Sequence, residues 1–268
     1  MKVVLFCGGL GLRMGESSTR MPKPMIPIGD RPILWHIMKY YASFGVTDFI
    51  LALGYRGEVI KEYFLGYNEA LSNDFVLSDG GGRVELLSQD IHDWSITFVN
   101  TGLQPPIGQR LKAVQQYLGD DELFLANYGD VLTDAPLLDM IDTLDRSDKV
   151  ALFLASHPTY NFHVVTFDGD GTVLSMGDVT KSGLWINAGY FVLRREIFEH
   201  IQEGEDLVEE PFHRVMSEGK VMAYPYDGFW APMDTLKDKN DLESLLETGE
   251  APWRVPRGRV EPSAAPGA

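Results

Sequence analysis

An apolar run, Lys2 to Cys7, meets three closely spaced glycines, Gly8, Gly9 and Gly11, followed by Arg13 and, a little further on, by Lys23-Pro24-Met25. Glycines directly after a strand let the backbone approach a ligand and turn N–H groups toward it. Two cations in the same segment suit a multiply charged anion such as a triphosphate. The segment is not a P-loop, because no Gly-Lys-Ser/Thr closes it. It is not a dinucleotide fingerprint either, because Met14 stands where the third glycine is required. A plain strand-to-helix turn with solvated charges would use the same residue types.

Three further constellations carry polar chemistry. Tyr128-Gly129-Asp130 follows an apolar run at Glu122 to Ala126. A carboxylate just past the carboxyl end of a buried strand lies where open α/β sheets bind ligands. It can hold a hard divalent cation that bridges phosphate oxygens. Asp134, before Ala135-Pro136-Leu137, reads as a helix N-cap. Asp234 offers a second carboxylate. Two carboxylates on one ion suit Mg²⁺, which leaves its other positions to water and phosphate. Asp234 or Thr235 reads equally well as the cap of the last helix. In Trp185-Ile186-Asn187-Ala188-Gly189, Asn187 has the donor and acceptor that sugar hydroxyls require, and an edge strand entering a turn would look the same. The six histidines have no metal spacing, His36 reads as packing, and no Ser/His/Asp set is legible.

The whole chain constrains these readings. Its 268 residues hold 23 Lys+Arg against 39 Asp+Glu, a formal charge of −16. Nucleic-acid coating is therefore disfavoured, since that affinity rests on basic residues meeting phosphates. One small anion needs only a few local cations or backbone N–H groups. With 44% hydrophobic residues the chain can bury a core. Cys7 is the only cysteine, so an intrachain disulfide and a Cys-rich zinc site are excluded. The N-terminal apolar run is too short for a secretory signal, and no stretch reaches the roughly 18 apolar residues of a membrane span. The expectation is a soluble cytoplasmic protein without a membrane or nucleic-acid partner.

The elements that must position these groups alternate. Strands are predicted at Lys2 to Phe6, Asp48 to Leu53, Trp94 to Asn100, Glu122 to Ala126, Val150 to Ala155, Val164 to Phe167, Tyr190 to Leu193 and Met222 to Tyr226. Helices are predicted at Pro32 to Phe44, Glu58 to Tyr67, Gln109 to Leu118, Ala135 to Leu144, Glu196 to Ile201, Pro211 to Glu218 and Leu236 to Glu247. Asn68 to Val84, with Gly80-Gly81-Gly82, reads as an excursion or hairpin outside the sheet. Strand–helix alternation implies right-handed crossovers and a largely parallel sheet. One domain runs to about Trp253, and residues 254–268, rich in Pro and Arg without an apolar period, read as a disordered tail.

In order, these motifs resemble the sugar-1-phosphate nucleotidyltransferases, and within them the glucose-1-phosphate cytidylyltransferase branch. Lys23-Pro24-Met25, Ile33 to Lys39, Gly54-Tyr55-Arg56-Gly57, Arg110-Leu111-Lys112, Trp185-Ile186-Asn187, Gly228-Phe229-Trp230, Pro232 to Leu236 and Ala251-Pro252-Trp253 carry the resemblance from Met1 to about Trp253. The resemblance implies a three-layer, Rossmann-like nucleotide-diphospho-sugar transferase fold with a mainly parallel mixed sheet. It implies Mg²⁺-dependent reaction of an NTP with a sugar 1-phosphate to give an NDP-sugar and pyrophosphate, with CTP and glucose 1-phosphate as the branch's pair. Gly8, Gly9, Gly11, Gly108, Arg110 and Gly129 would then face the nucleotide. Arg13 and Lys23 would neutralise phosphates, and Asp130 and Asp234 would hold Mg²⁺. Lys181, Trp185 and Asn187 would face the sugar phosphate.

Three departures stand out. Leu12 replaces the usual Thr or Ser, and Gln109 a glycine. The Glu-Lys-Pro before Trp-Ile-Asn is absent, with Asp178 and Lys181 as stand-ins at a different spacing. A non-catalytic binding homologue and a glycosyltransferase using an NDP-sugar donor are the competing readings. The sequence is compatible with a homo-oligomer and does not set a subunit count.

Overall fold

Along the first strand Val3, Leu5 and Cys7 alternate with Val4 and Phe6, and all five are buried. Apolar residues on both faces of one strand demand a layer of structure on each side. This strand, β1 (Lys2–Cys7), lies inside a seven-stranded sheet. The others are β2 (Asp48–Leu53), β3 (Ser95–Asn100), β4 (Leu123–Tyr128), β5 (Ala151–Ser156), β6 (Ile186–Arg194) and β7 (Val221–Pro225). Their order is β7-β5-β6-β4-β1-β2-β3. Only β6 runs antiparallel to its neighbours; every other adjacent pair is parallel. No helix separates β5 from β6, so the chain re-enters the sheet from the end at which it left and must run backwards. The computed structural model describes residues 1–8, 21–160 and 162–254.

The two faces hold separate cores. Val3, Leu5 and Cys7 pack with α1 (Ile33–Ser43), α4 (Leu137–Asp145) and Leu242 of α6 (Leu236–Glu247), and Ile60 of α2 (Gly57–Leu65) joins them. Val4 and Phe6 pack with α3 (Ile107–Val114), α5 (Glu210–Ser217) and the 3-10 turn Arg195–His200. The expected order of strands and helices is recovered, with shifted ends. Pro32 precedes α1 in an extended conformation instead of opening its first turn. The helix expected to Leu118 gives way at Gln115–Tyr117 to a 3-10 turn.

Among the described residues four small ribbons lie outside the sheet, one of them the two-residue pair Pro27–Ile28 with Arg31–Pro32. The 68–84 excursion is a short helix, Glu69–Ser72, and a hairpin of Phe75–Ser78 with Arg83–Leu86. His163–Phe167 pairs with Val173–Asp178, an unanticipated strand whose Ser175 and Gly177 interrupt the apolar pattern. Val131–Thr133 pairs with Trp230–Pro232. Three residues with one proline are too short to show a period.

The described chain ends against the core, and the tail expected beyond Arg254 falls outside the described residues. Trp253 is buried against Phe229 and His36. His36 Nε2–H donates to the Ile28 carbonyl at 3.0 Å, and Nδ1 accepts from Trp253 Nε1–H at 3.4 Å. A carbonyl only accepts and an indole N–H only donates, so the ring is held neutral. Burial holds its pKa below the ordinary 6.5. A depressed folded value means the contribution is complete above the unfolded pKa and is lost as pH falls through the folded one. The melting temperature should therefore drop between pH 7 and pH 5 by more in the wild type than in His36→Gln. Equal drops in the two proteins would remove His36 as the cause.

Candidate active site

Asp130 sits on the turn between β4 and Val131–Thr133. The partner ribbon strand ends at Pro232, opposite Val131, and the next residue closes the pair: Met233 N–H donates to the Asp130 carbonyl at 2.9 Å. This contact carries Asp234 to the side of Asp130. Two candidate caps are thereby decided. Thr235 caps α6: its Oγ1 accepts from Asp238 N–H at 3.2 Å, and Asp238 Oδ2 accepts from the Thr235 and Asp234 N–H groups at 2.8 and 2.9 Å. With the cap supplied by its neighbour, the Asp234 carboxylate lines the cleft. Asp134 is not the cap of α4, where Pro136 occupies that position without a side-chain bond. Its Oδ1 instead accepts from Tyr226 O–H at 2.6 Å and Phe229 N–H at 2.9 Å. It anchors the segment that leads to Asp234.

Lys23 leads a 3-10 turn whose Pro24 and Met25 are buried. Its ammonium lies 2.6 Å from Asp130 Oδ2 and 2.5 Å from Asp234 Oδ1. Burial opposes the charge, yet the two carboxylates outweigh it and raise the Lys23 pKa above its ordinary value. Tyr160 O–H donates to the other oxygen of Asp234, Oδ2, at 2.6 Å. These groups line a cleft of about 400 Å³ that extends past Phe6, Gly8, Tyr128 and Gly129 to Asn187 and Trp230.

At the mouth of this cleft the ends of β1 and β2 touch. A Cβ on Gly54 would lie 2.7 Å from Gly8 Cα, and one on Gly8 would lie 2.3 Å from the Arg110 guanidinium. At Gly54, where the clash is with backbone, only glycine fits, and at Gly8 a side chain would have to displace the Arg110 guanidinium. Arg110 is buried and donates to Thr101 Oγ1 at 2.7 Å, Gly102 O at 2.9 Å and Leu103 O at 3.1 Å. Among the described residues it makes no ion pair, and burial lowers its pKa below the ordinary arginine value. A desolvated cation set against Gly8, with no counter-carboxylate among the described residues, attracts an anion. Gly129 is a close approach too: its Cβ would lie 2.9 Å from Phe6 O.

The structure thus brings together Gly8, Lys23, Gly129, Asp130, Asn187 and Asp234. It does not bring every expected residue there. Gly108 packs α3 onto the 205–207 backbone, where a Cβ would meet Glu205 O at 2.6 Å. Lys181 is exposed at the end of the Val179–Lys181 turn and does not line the cleft. Asp178 caps that turn through Thr180 N–H at 2.9 Å. Trp185 stacks on His157 with ring centroids 4.0 Å apart, and it too is outside the lining. Asn187 lines the cleft with its Oδ1 accepting from Gly189 N–H at 2.9 Å. Gly9, Gly11 and Arg13 lie outside the described residues. Tyr160 was missed because Pro158-Thr159-Tyr160 has neither a period nor a motif.

The pair Asp130 and Asp234 suits a divalent cation on two grounds. Its oxygens are hard donors, and a cation, the Lys23 ammonium, already lies within reach of both. Among the described residues no group of three or more His, Cys, Asp and Glu side chains could hold a metal ion. An ion here would complete its shell with oxygens of water or of a ligand, as Mg²⁺ at phosphate sites does. Among the described residues no helix is long and apolar enough to cross a membrane.

A family model described as nucleotidyl transferase matches residues 2–241. Glucose-1-phosphate cytidylyltransferase of Salmonella typhi is 41% identical over 257 residues, covering 95% of this chain and 99% of that protein. A probable glucose-1-phosphate cytidylyltransferase of Bacillus subtilis is 37% identical, covering 95% of this chain and 100% of that protein. The solved structure of a putative glucose-1-phosphate thymidylyltransferase from Bacillus anthracis superposes with a TM-score of 0.66 at 18% identity, covering 91% of this chain and 94% of that one. The fold is that of the nucleotide-diphospho-sugar transferases.

Proposed function

The chain belongs to the nucleotidyl transferase family, and from that premise we propose that it is a Mg²⁺-dependent glucose-1-phosphate cytidylyltransferase of the cytoplasm. The observation that carries the reading is the meeting of Lys23, Asp130 and Asp234 in one cleft between Gly8 and Asn187. In the reaction, an oxygen of the sugar phosphate forms a bond to the α-phosphorus of CTP. The bond from that phosphorus to the bridging oxygen breaks, and pyrophosphate leaves with the electron pair. No side-chain nucleophile is required, so the protein's task is to position two anions and to offset their charge.

The residues divide that task. Gly8 and Gly54 keep the loop entrance open to a phosphate chain, and the buried Arg110 supplies positive potential beside it. Asp130 and Asp234 would hold Mg²⁺, which when bound polarises phosphoryl oxygens and offsets the charge of the leaving pyrophosphate. Lys23 needs no proton exchange to act, since its raised pKa keeps it cationic at neutral pH. Its ammonium can pass from the carboxylates to phosphate oxygens. Asn187 offers its amide to sugar hydroxyls, and Tyr128 and Trp230 form apolar walls.

A matrix of four NTPs against several sugar 1-phosphates, followed by pyrophosphate release, tests the reading. CTP with glucose 1-phosphate should give the highest turnover, and EDTA should abolish it. Release from no pair by folded protein with Mg²⁺ would overturn it. The altered stretch around Asp178 and Lys181 favours one other outcome, nucleotide binding without release. That result would mark a non-catalytic homologue.

A further inference from the structure

Asp234 is held firmly at its backbone. Its N–H is bound by Asp238, and the neighbouring Met233 N–H is bound by Asp130. The carboxylate torsion is by itself a broad and roughly two-fold rotor, so contacts to its oxygens set the orientation. Lys23 touches Oδ1 at 2.5 Å, and Tyr160 touches Oδ2 at 2.6 Å. Lys23 also serves Asp130 at 2.6 Å, so it does not single out one orientation of Asp234.

We infer that Tyr160 is a positioning residue for Asp234: its hydroxyl holds Oδ2 and keeps Oδ1 turned toward Lys23 and Asp130. The inference rests on the proposed role of Asp234 as a metal ligand. A neutral donor is the right chemistry for this task. A second cation on Oδ2 would compete with the metal for the carboxylate charge, whereas a phenol fixes the group and leaves its charge available. Tyr160 lines the cleft and, with Trp230 and Pro232, also a second cavity of about 400 Å³ bounded by Phe229, Thr235 and Leu242. Its ring meets that of Phe162 with centroids 5.9 Å apart, and its bond to Asp234 is a direct polar link to the candidate metal pair.

Hydrogen bonds to metal-binding carboxylates change metal affinity by roughly tenfold to a hundredfold. The test uses the full chain and measures CTP affinity by calorimetry with Mn²⁺ and with EDTA. The ratio of the two Kd values reports how strongly the protein and the ion cooperate. Tyr160→Phe should leave the EDTA value unchanged and reduce the ratio by roughly tenfold. Its turnover should recover toward wild type at high Mg²⁺, appearing as a raised metal requirement and not as a lost kcat. Tyr160→Leu, which also lacks the hydroxyl, should show the same reduced ratio. Asp234→Asn is the control. If Asp234→Asn loses the Mn²⁺ effect while both Tyr160 variants keep it, the role of Tyr160 is overturned and that of Asp234 stands. If Asp234→Asn keeps the effect, Asp234 is not a metal ligand and both readings fall.

Discussion

Asp130→Asn is expected to lower pyrophosphate release by about a thousandfold or more while leaving the protein folded. The two halves of this result have separate causes. Asparagine is nearly isosteric, and the bond that organises the ribbon uses the Asp130 backbone carbonyl, not its side chain. The side chain is about a quarter exposed, so losing its contact with Lys23 costs about 1 kcal/mol or less. That corresponds to a shift of only a few degrees in melting temperature. Catalysis is affected far more, because an amide offers one weak neutral oxygen where the ion that offsets the developing phosphate charge needs a carboxylate. Circular dichroism and a melting curve would establish the fold, and a coupled pyrophosphate assay would give the rate. Activity within tenfold of wild type would remove Asp130 from the metal site.

Lys23→Met is expected to lower turnover by roughly a hundredfold to a thousandfold, the scale of removing one preorganised charge from a transition state. Its effect on the response to Mg²⁺ runs in the opposite direction to that of Asp130→Asn. In the free protein the ammonium holds Asp130 and Asp234 together. Methionine leaves two carboxylates facing each other in a partly buried cleft without a cation, which is unfavourable. The ligand-free variant should melt lower than wild type. Mg²⁺ added without nucleotide should raise its melting temperature by more than it raises that of the wild type, because the ion no longer competes with an ammonium. If Mg²⁺ shifts both proteins equally, the ion does not bind where Lys23 now sits. Asp130→Asn should show the smallest Mg²⁺ shift of the three.

Much of the arrangement was legible beforehand, and the limits are physical. The alternation of Val3, Leu5 and Cys7 with Val4 and Phe6 can be met only by a strand covered on both faces. α6 was placed to the residue, because a Thr235 cap and an apolar stripe are local signals. Asp130 was legible for the same reason, as a carboxylate at the end of an apolar run. Resemblance points Lys181 and Trp185 at the sugar phosphate, but their stretch departs from the family pattern and folds as an exposed turn and an indole packed on His157. Asp134 had a cap's sequence context, and the tertiary fold gave it stronger donors in Tyr226 and Phe229.

The sequence by itself determined the strand–helix alternation, the two apolar faces of β1, the glycine-rich segment after it and the acidic background of −16. Each of these follows from periodicity, residue type or charge over a short window. Tertiary structure alone decided that Lys23, Asp130, Tyr160 and Asp234 form one cluster. The three-residue ribbon that joins Val131–Thr133 to Trp230–Pro232 is too short to carry a period. It also pairs segments far apart in the chain, so its register depends on packing that no local window contains. Arg110 shows the same division. Its charge was visible in the sequence, but its burial against Gly8 appears only once α3 docks on the sheet.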